Sequence, residues 1–468
     1  MDDHQAMQNE IAWDNELIRR YDQPGPRYTS YPTAVQFSEN FGAQDYSREA
    51  LNSNATGKPL SLYFHIPFCA SLCYYCGCNK IITGDRARAQ PYLDTLHKEI
   101  RLQAELFDTD QRIVEQLHWG GGTPTFISPQ HMHELMDATG RHFKLLDDDS
   151  GDYSIEIDPR EADDKTLETL RAIGFNRISL GVQDFNPAVQ QAVNRIQSPQ
   201  LTGDVLSKVR ELGFRSTNID LIYGLPLQTV DTFAQTLEQV IAMNPDRLSV
   251  FNYAHLPERL KSQRLIHSKD LPSPAEKLKL LEITIAYLIG AGYVYIGMDH
   301  FAKPDDALAQ AQKAGLMHRN FQGYTTHAEC DLVAMGVSSI SQVGDTYCQN
   351  AYKINDYQNA IEGGALATIK GLRLNRDDLI RRAAINQLIC HFQLDGDTFG
   401  AQQGIDFAQY FARELALLQQ HQRDGLVEID HNRLRITSRG RLLVRSICMV
   451  FDRYLNQDAL EQRYSRVI

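Results

Sequence analysis

Short apolar segments typical of strands alternate with longer segments of helical periodicity from residue 60 to residue 297. The predicted strands are LSLYFHIP (60–67), EQLHW (115–119), SIEID (154–158), RISLGVQ (177–183), TNIDLIYGLP (217–226), RLSVFNY (247–253) and YVYIG (293–297). Helices are predicted between them at about 90–107, from about 129, and over 163–173, 199–213, 229–242 and 275–291. This alternation predicts parallel βα units, and its length favours a TIM-like barrel, full or partial. A Rossmann-type sheet is the alternative, which the lack of G-x-G-x-x-G after the first strand disfavours.

The sequence outside the alternating region predicts two further parts. Residues 1–50 form a polar N-terminal extension to a barrel domain at 51–365, in which 299–350 reads as a long turn-rich segment. Residues 366–468 form a C-terminal, mostly helical domain, with helices at about 376–393 and 404–422 before a two-stranded, winged-helix-like segment. Residues 370–468 carry 15 Lys and Arg against 12 Asp and Glu, so a lid or packing role is favoured over DNA binding.

The charge balance and the lack of long apolar runs restrict what the chain binds. Its 47 basic and 59 acidic side chains give a formal charge of −12, which argues against a nucleic-acid or anionic-membrane partner. No apolar run approaches the roughly 18 residues of a membrane span. The N-terminal residues lack the basic start and apolar stretch of a signal peptide. We therefore expect a cytoplasmic protein whose thiols stay reduced.

Four of the eight cysteines lie within ten residues, directly after the first predicted strand: Cys69, Cys73, Cys76 and Cys78. Such a cluster in a reducing compartment indicates metal or redox chemistry rather than a disulfide framework. The C-x3-C-x2-C spacing can hold three irons of a 4Fe-4S cluster and leave the fourth iron for a small molecule. Structural zinc usually takes two separated cysteine pairs, and the sequence has no second pair. Spacing alone favours iron–sulfur, leaves zinc and a thiol redox role open, and leaves Cys78 without an assigned role.

The segment HIPFCASLCYYCGCNK (65–80) resembles the cluster loop of the radical S-adenosylmethionine (SAM) enzymes. Further blocks extend a closer resemblance, to the oxygen-independent coproporphyrinogen III oxidase family, over almost the whole chain: GPRYTSYPTA, LHWGGGTPT, EIDPRE, FNRISLGVQDFN, STNIDLIYGLP, DRLSVFNYAHLP, IGMDHFA, HRNFQGYTT and YSRVI. This resemblance implies an α/β fold with a partial (βα)6 barrel and a C-terminal helical domain.

The same resemblance implies an oxidoreductase of porphyrin and haem biosynthesis. It implies a 4Fe-4S cluster, two molecules of S-adenosyl-L-methionine, and coproporphyrinogen III as substrate. In the family, 5′-deoxyadenosyl radicals begin the oxidative decarboxylation of two propionates to vinyl groups, which gives protoporphyrinogen IX. The implied partners are an electron donor of flavodoxin or ferredoxin type and an unidentified electron acceptor, and we expect a monomer.

The resemblance also assigns site residues by position. Cys69, Cys73 and Cys76 match the cluster ligands. Positions of the first SAM site are matched by Tyr63, Gly121, Gly122, Thr123, Glu156 and Ile340. Positions of the second SAM site are matched by Tyr75, where the compared family member has phenylalanine, and by Gln183, Arg195, Asp220 and Ala254. Tyr63, Cys78 and Glu156 match positions relevant to catalysis, and Cys78 is expected not to be a cluster ligand.

Residue chemistry supports parts of this assignment. The triple glycine at 120–122 follows a predicted strand, permits close approach of a ligand, and is expected to present backbone N–H donors to a carboxylate. Glu156 and Asp158 alternate with isoleucines, so both acids are expected to face the barrel interior. An ordinary turn and a solvated edge strand are the respective alternatives.

A substrate with four propionates must meet local cations in a chain of net negative charge. Arg27, Lys80 and Arg319 are the hypothesised partners, each charge-assisted hydrogen bond contributing roughly 1.5–3 kcal/mol. Solvated side chains are the alternative interpretation.

Two other functions stay open. A haem-binding chaperone of the same superfamily shares the cysteine triplet, but it usually lacks a cysteine at the Cys78 position and the PRYTSYP segment, both present here. A zinc-organised winged-helix regulator is disfavoured by the barrel-like repeats and by the net charge.

Overall fold

The computed structural model describes residues 11–455, 464 and 466. Its strands are β1 Leu60–Ile66, β2 Phe68–Cys69, β3 Ile81–Ile82, β4 Ile113–Gly121, β5 Lys144–Leu145, β6 Asp152–Ile157, β7 Arg177–Gln183, β8 Ser216–Tyr223, β9 Arg247–Asn252, β10 Val294–Gly297, β11 His300–Ala302, β12 His318–Asn320, β13 Gly323–Thr325, β14 Asp331–Met335, β15 Ile340–Val343, β16 Thr346–Asn350, β17 Thr368–Arg373, β18 Gln393–Asp395, β19 Val427–Asp430 and β20 Arg433–Ile436. Its α-helices are α1 Asn15–Tyr21, α2 Ala43–Ser53, α3 Gln90–Ala104, α4 Pro129–His142, α5 Asp164–Ala172, α6 Pro187–Ala192, α7 Pro199–Glu211, α8 Val230–Met243, α9 Pro274–Gly290, α10 Ala307–Ala314, α11 Ile354–Glu362, α12 Arg376–His391, α13 Gly396–Gln403, α14 Phe407–Tyr410, α15 Ala412–Arg423 and α16 Val444–Met449.

The chain divides into two compact units. The barrel unit contains Phe37–Tyr287 and Glu329–Arg373. The helical unit contains the described residues up to Gln36, Leu288–Ala328, and the described residues from Leu374 onward.

A mainly parallel sheet forms the core of the barrel unit. Its strand order is β9-β8-β7-β6-β4-β1-β14-β15-β16-β17. The strands from β9 to β14 pair in parallel, whereas β15, β16 and β17 pair antiparallel. Helices such as α3, α5, α7 and α8 provide the crossovers that parallel neighbours require. The carboxyl ends of these strands therefore meet at one edge of the sheet, where barrel enzymes carry their sites.

Side-chain burial explains why these segments pair. In β1 every residue except Tyr63 is buried, which is typical of a central parallel strand covered on both faces. In β7 the apolar side chains at alternate positions are buried, while Ser179, Gly181 and Gln183 lie on the opposite, partly exposed face. Trp119 on β4 is fully buried and packs edge-on against Phe175.

The predicted α/β fold with a parallel core is confirmed, because the strands predicted between residues 60 and 253 are all present. The interpretation of 299–350 as a turn-rich segment is wrong. It contains β14, whose Ala334 lies in register with Tyr63 of the neighbouring β1. All five residues of β14 are buried, but Gly336 and serines follow at once, so the turn composition of the neighbours hid this short strand.

The two units divide the chain differently from the predicted ranges 1–50, 51–365 and 366–468. Helix α2 spans residue 50 and contacts β15, β16 and β17, so residues from Phe37 onward group with the sheet. Residues 288–328 group instead with the helical unit. Neither difference from the predicted ranges can be seen in the sequence composition, because both depend on packing between segments that are distant in sequence.

The helical unit contains α12, α15 and α16 and a small antiparallel sheet of order β18-β20-β19. The predicted two-stranded segment is present as the β19–β20 hairpin, and β18 adds a third strand. Arg433 pairs with Asp395 and Arg435 pairs with Glu428, so these basic groups of the hairpin already have acidic partners. None of the helices within the described ranges is long and apolar enough to cross a membrane.

Candidate active site

An open cavity of about 820 Å³ lies at the carboxyl ends of the parallel strands in the barrel unit. Most of the residues proposed from sequence line it together: Cys69, Cys73, Tyr75, Cys76, Cys78, Gly121, Gly122, Thr123, Glu156, Gln183, Arg195 and Asp220.

The cysteine loop leaves the end of β1, and a short parallel pairing of β2 with β3 closes it. Thr83 N–H donates to Cys69 O at 3.0 Å, and Cys76 N–H donates to Cys73 O at 3.2 Å. The four cysteines of the loop are free of disulfides. The loop therefore presents separate thiol groups to the cavity.

Hydrogen-bond donors approach two of the sulfur atoms. Thr123 Oγ1 donates to Cys69 Sγ at 3.5 Å. Arg160 and Arg195 donate to Cys73 Sγ at 3.8 and 3.6 Å. Such donors stabilise a thiolate, the form of cysteine that binds metal.

Cys78 is tied to Cys76. A hydrogen bond from Cys78 lowers the pKa of Cys76 to about 6, against the effect of burial and with help from Lys80. The same contact, followed by desolvation of the sulfur, raises the pKa of Cys78 well above its usual value. The contact between the two cysteines therefore favours ionisation of Cys76 and disfavours ionisation of Cys78.

Glu156 at the end of β6 is held by its neighbours on β4. His118 Nε2 lies 3.5 Å from Glu156 Oε1, and the other ring nitrogen of His118 bonds Ser154 Oγ at 2.7 Å. The ring of Tyr63 stacks on His118 with centroids 5.8 Å apart. Burial opposes ionisation of Glu156, but the hydrogen bond and charge of His118 and the N–H of Gly121 lower its pKa. The cavity therefore contains an ionised carboxylate.

The triple glycine permits close packing. Gly121 has φ +114°, and a Cβ there would lie 2.7 Å from the ring of His65. A Cβ at Gly122 would lie 2.7 Å from Phe68 O. Their N–H groups are already used, by Glu156 at 3.3 Å and by the backbone of β1 at 2.8 Å. Both N–H groups thus donate within the protein, to the Glu156 carboxylate and to the end of β1, and their presentation to a ligand carboxylate stays a prediction.

Asp220 belongs to a polar group on β7 and β8 that faces the same cavity. Ser179 Oγ donates to Asp220 Oδ2 at 2.9 Å, and Asn218 Nδ2 donates to Asp220 Oδ1 at 2.8 Å. Burial, and then the charge of Glu156, raise the pKa of Asp220 to about 6. Two carboxyl groups with separated pKa values thus share the cavity.

Tyr63, Ala254 and Ile340 do not line the cavity. Tyr63 stacks on His118, which in turn contacts the cavity residue Glu156. Gln263 links Ala254 to the cysteine loop by donating to Ala254 O at 3.1 Å and to Tyr75 O at 2.9 Å. Ile340 begins β15, which lies two strands away from β1 in the sheet.

The hypothesised substrate cations lie in different units. Lys80 lines the cavity, where its Nζ donates to Cys76 O at 2.8 Å. Arg27 and Arg319 belong to the helical unit, in which Arg27 pairs with Asp299 and Arg319 lies over the ring of Tyr324. The role of these cations in substrate binding stays a prediction.

Sequence reasoning missed His118 and Arg160. His118 lies two residues before Gly120 on β4, so the period of two along a strand places it on the same face, and this pattern could have indicated it. Arg160 contacts Cys73 from 87 positions away, and no local pattern indicates such a contact.

The parallel sheet and the C-x3-C-x2-C loop at the end of its first strand define the class of radical SAM enzymes. Residues 63–240 match the family model described as Radical SAM superfamily, and residues 374–443 match the HemN C-terminal domain.

Relatives of almost the same length specify the class further. The chain is 58% identical to the oxygen-independent coproporphyrinogen III oxidase of Pseudomonas aeruginosa, over 99% of this chain and 100% of that protein. It is 52% identical to the Escherichia coli protein of the same name, over 98% of this chain and 99% of that protein. A solved structure of coproporphyrinogen III oxidase (HemN) from Escherichia coli, described as a radical SAM enzyme, has 51% identity and a TM-score of 0.91, with 95% of this chain and 100% of that chain covered. The chain belongs to the family of oxygen-independent coproporphyrinogen III oxidases.

The cofactors of this family are a 4Fe-4S cluster and S-adenosylmethionine, and the residues present here fit them. Three cysteine thiols free of disulfides line one open cavity, and donors approach the sulfur atoms of two of them. The same cavity has room beside the cysteines and carries both acidic and cationic groups.

Proposed function

We propose that this chain catalyses the oxidative decarboxylation of two propionate side chains of coproporphyrinogen III to vinyl groups, which gives protoporphyrinogen IX in anaerobic porphyrin and haem biosynthesis. The observation that carries the proposal is the convergence of Cys69, Cys73 and Cys76 with Glu156 and Asp220 in one cavity. The family membership, established over nearly the whole chain, supports the choice of substrate.

Each conversion removes one hydrogen atom, one further electron and carbon dioxide from a propionate carboxylate. The cluster and S-adenosylmethionine, when bound, supply the electron and the hydrogen-abstracting radical chemistry. The protein supplies binding, orientation and exclusion of competing reactions. Two propionates react, so we propose that two molecules of S-adenosylmethionine are used.

The cavity residues divide this work. Cys69, Cys73 and Cys76 hold the cluster, and Cys78 donates its thiol proton toward Cys76. Glu156, kept ionised by His118, attracts the cationic end of S-adenosylmethionine.

The remaining positions complete two cofactor sites. The first is completed by Tyr63, Gly121, Gly122, Thr123 and Ile340, and the second is formed by Tyr75, Gln183, Arg195, Asp220 and Ala254. The shared cavity lining supports all of these positions except Tyr63, Ala254 and Ile340. Ala254 is supported by the hydrogen bonds that join it to Tyr75 through Gln263.

Four finer points of this function are proposals. A reductant of flavodoxin or ferredoxin type delivers the electron, and a separate acceptor takes the final electron. We also propose that the monomer is the working form, in the cytoplasm.

The test is anaerobic reconstitution followed by incubation with coproporphyrinogen III, S-adenosylmethionine and a reductant. The expected products are 5′-deoxyadenosine and protoporphyrinogen IX. Cys73→Ser should be inactive. Cys330→Ser, which replaces a cysteine outside the cavity, is the control and should be active. Stable haem binding without decarboxylation indicates a haem chaperone instead. Zinc without iron or sulfide in oxygen-free preparations contradicts the proposal altogether.

A further inference from the structure

Cys73 differs from the other two cluster ligands in the cations that approach its sulfur. Two guanidinium groups donate to Cys73 Sγ, from Arg160 Nη2 at 3.8 Å and from Arg195 Nη1 at 3.6 Å. Thr123 donates a neutral hydroxyl to Cys69 Sγ, whereas Cys76 interacts with the thiol of Cys78 and with the ammonium group of Lys80. The two guanidinium groups at the cysteine triplet therefore both act on Cys73.

Asp158 fixes both guanidinium groups in place. Asp158 Oδ2 accepts from Arg160 Nη2 at 2.7 Å and from Arg195 Nη1 at 2.9 Å, while Asp158 Oδ1 accepts from Arg160 Nε at 3.0 Å. Two cations and one anion leave one positive charge in excess beside Cys73.

Burial makes this excess charge effective. The side chains of Arg195 and Asp158 are 7% and 8% exposed, and Arg160 is 21% exposed. Cys73 itself is buried. Electrostatic interactions are weakly screened in such surroundings, so the charge acts on the sulfur more strongly than a surface charge does.

The potential of an iron–sulfur cluster depends on net charge, on hydrogen bonds to its sulfurs and on exposure. A cationic donor at a ligand sulfur stabilises the reduced cluster, which carries one more electron, and thereby raises the reduction potential. We infer that Arg160, oriented by Asp158, acts through Cys73 to raise the cluster potential into the range that a biological one-electron donor reaches. This inference rests on the proposed function, because it requires the cluster on the cysteine triplet.

Arg160 is the residue to test, because Arg195 is also assigned to a cofactor site. The experiment is an anaerobic potentiometric titration of the reconstituted enzyme, followed by electron paramagnetic resonance. The variants are Arg160→Met, Arg160→Lys and Asp158→Asn. The matched control is Arg48→Met, which removes the same charge from an exposed pair with Asp45.

In Arg160→Met we expect the ratio of reduced to oxidised cluster at a fixed potential to fall about tenfold, a shift of about 59 mV to more negative potential for one electron. Arg160→Lys keeps the positive charge but loses the planar guanidinium group, so its reduction potential should shift less than that of Arg160→Met. Asp158→Asn should change the potential because it releases both guanidinium groups. Arg48→Met should match the wild type.

Three results overturn the inference. The first is a wild-type or more positive potential in Arg160→Met with full iron and sulfide content. The second is an equal shift in Arg48→Met, and the third is loss of the cluster in every Arg160 variant, which makes the contact structural. A wild-type enzyme that holds the cluster but does not decarboxylate the substrate refutes the proposed function and leaves this inference intact.

Discussion

At the scale of single residues, the contrast between Cys78 and its neighbours is the most informative. Four cysteines crowd into ten residues, yet their surroundings differ: donors approach Cys69 and Cys73, and Cys78 acts as a donor to Cys76. A sulfur that donates a hydrogen bond to a ligand is not itself required as a ligand. The C-x3-C-x2-C spacing predicts three ligands, but it could not supply this distinction.

Cys78→Ser should therefore retain the cluster, because a hydroxyl still donates to Cys76 and the three ligands are unchanged. We expect iron and sulfide per chain equal to the wild type, whereas Cys73→Ser should lose most of both. The measurement is metal and sulfide analysis with the visible absorbance of the cluster after anaerobic reconstitution. Cys330→Ser is the control for the effect of replacing a free cysteine outside the cavity. Loss of absorbance in Cys78→Ser but not in this control contradicts the prediction.

At the scale of elements, buried polar side chains fix β14, one of the strands between residues 299 and 350 that sequence reasoning missed. Arg112, 1% exposed, donates to Lys58 O at 2.6 Å and to Ser53 Oγ at 2.9 Å, and it forms a buried ion pair with Asp331 at the start of β14. These bonds join the segment before β4 to the strand on the other side of β1.

Replacing Arg112 with Met should destabilise the chain by about 3–5 kcal/mol, because it leaves the Asp331 carboxylate buried without its cation. Arg48→Met breaks an exposed pair and should cost about 0–1 kcal/mol. Urea unfolding with comparison of midpoints and slopes measures both. Equal midpoints for the two variants contradict the prediction.

Glu99 on α3 is a second buried polar group that orders this region. It is 0% exposed and accepts from Gly336 N–H at 2.7 Å, from Tyr357 OH at 2.6 Å and from Asn350 Nδ2 at 2.8 Å. Gly336 follows β14, and the turn it begins leads to Ile340. Burial raises the pKa of Glu99 from 4.5 to about 7, since it outweighs these three hydrogen bonds.

A raised carboxyl pKa means that the folded chain binds more protons than the unfolded chain between pH 4.5 and about 7. The contribution of Glu99 to stability is therefore full below pH 4.5 and declines as the pH rises toward 7, by about 3 kcal/mol in total. Glu99→Gln should remove this decline, although it also loses one acceptor. Unfolding free energies measured from pH 5 to pH 8 test the slope, and Glu105→Gln, exposed at the end of α3, should keep the wild-type slope.

The strands of the sheet differ in how well the sequence predicts them. The strands from β1 to β9 have apolar patterns long enough to be recognised, and the helices between them have their own period. Strand β14 has five residues, follows a turn-rich stretch and depends on β1 and on Arg112 for its place. The site divides in the same way: the cysteines lie close together in sequence, and His118 lies two residues before Gly120 on the same strand. The contact of Arg160 with Cys73 arises only in the folded chain.

At the scale of the whole molecule, the net charge of −12 opposes a substrate that carries four propionates. Local cations such as Lys80 act only at short range. The repulsion from the net charge extends over about one Debye length, which depends on the salt concentration. The Debye length falls from about 30 Å at 0.01 M salt to about 8 Å at 0.15 M. Added salt therefore weakens the long-range repulsion before it weakens short contacts within the site.

We expect kcat/KM for coproporphyrinogen III to rise about two- to threefold between 0.01 and 0.15 M sodium chloride, with kcat nearly constant, because the effect is on encounter. Initial rates under anaerobic conditions at several salt concentrations measure it. Lys80→Met removes a local cation, so it should lower kcat/KM at every salt concentration without removing the rise. A kcat/KM that falls steadily with salt shows that local cations dominate the approach of the substrate, and it contradicts the prediction.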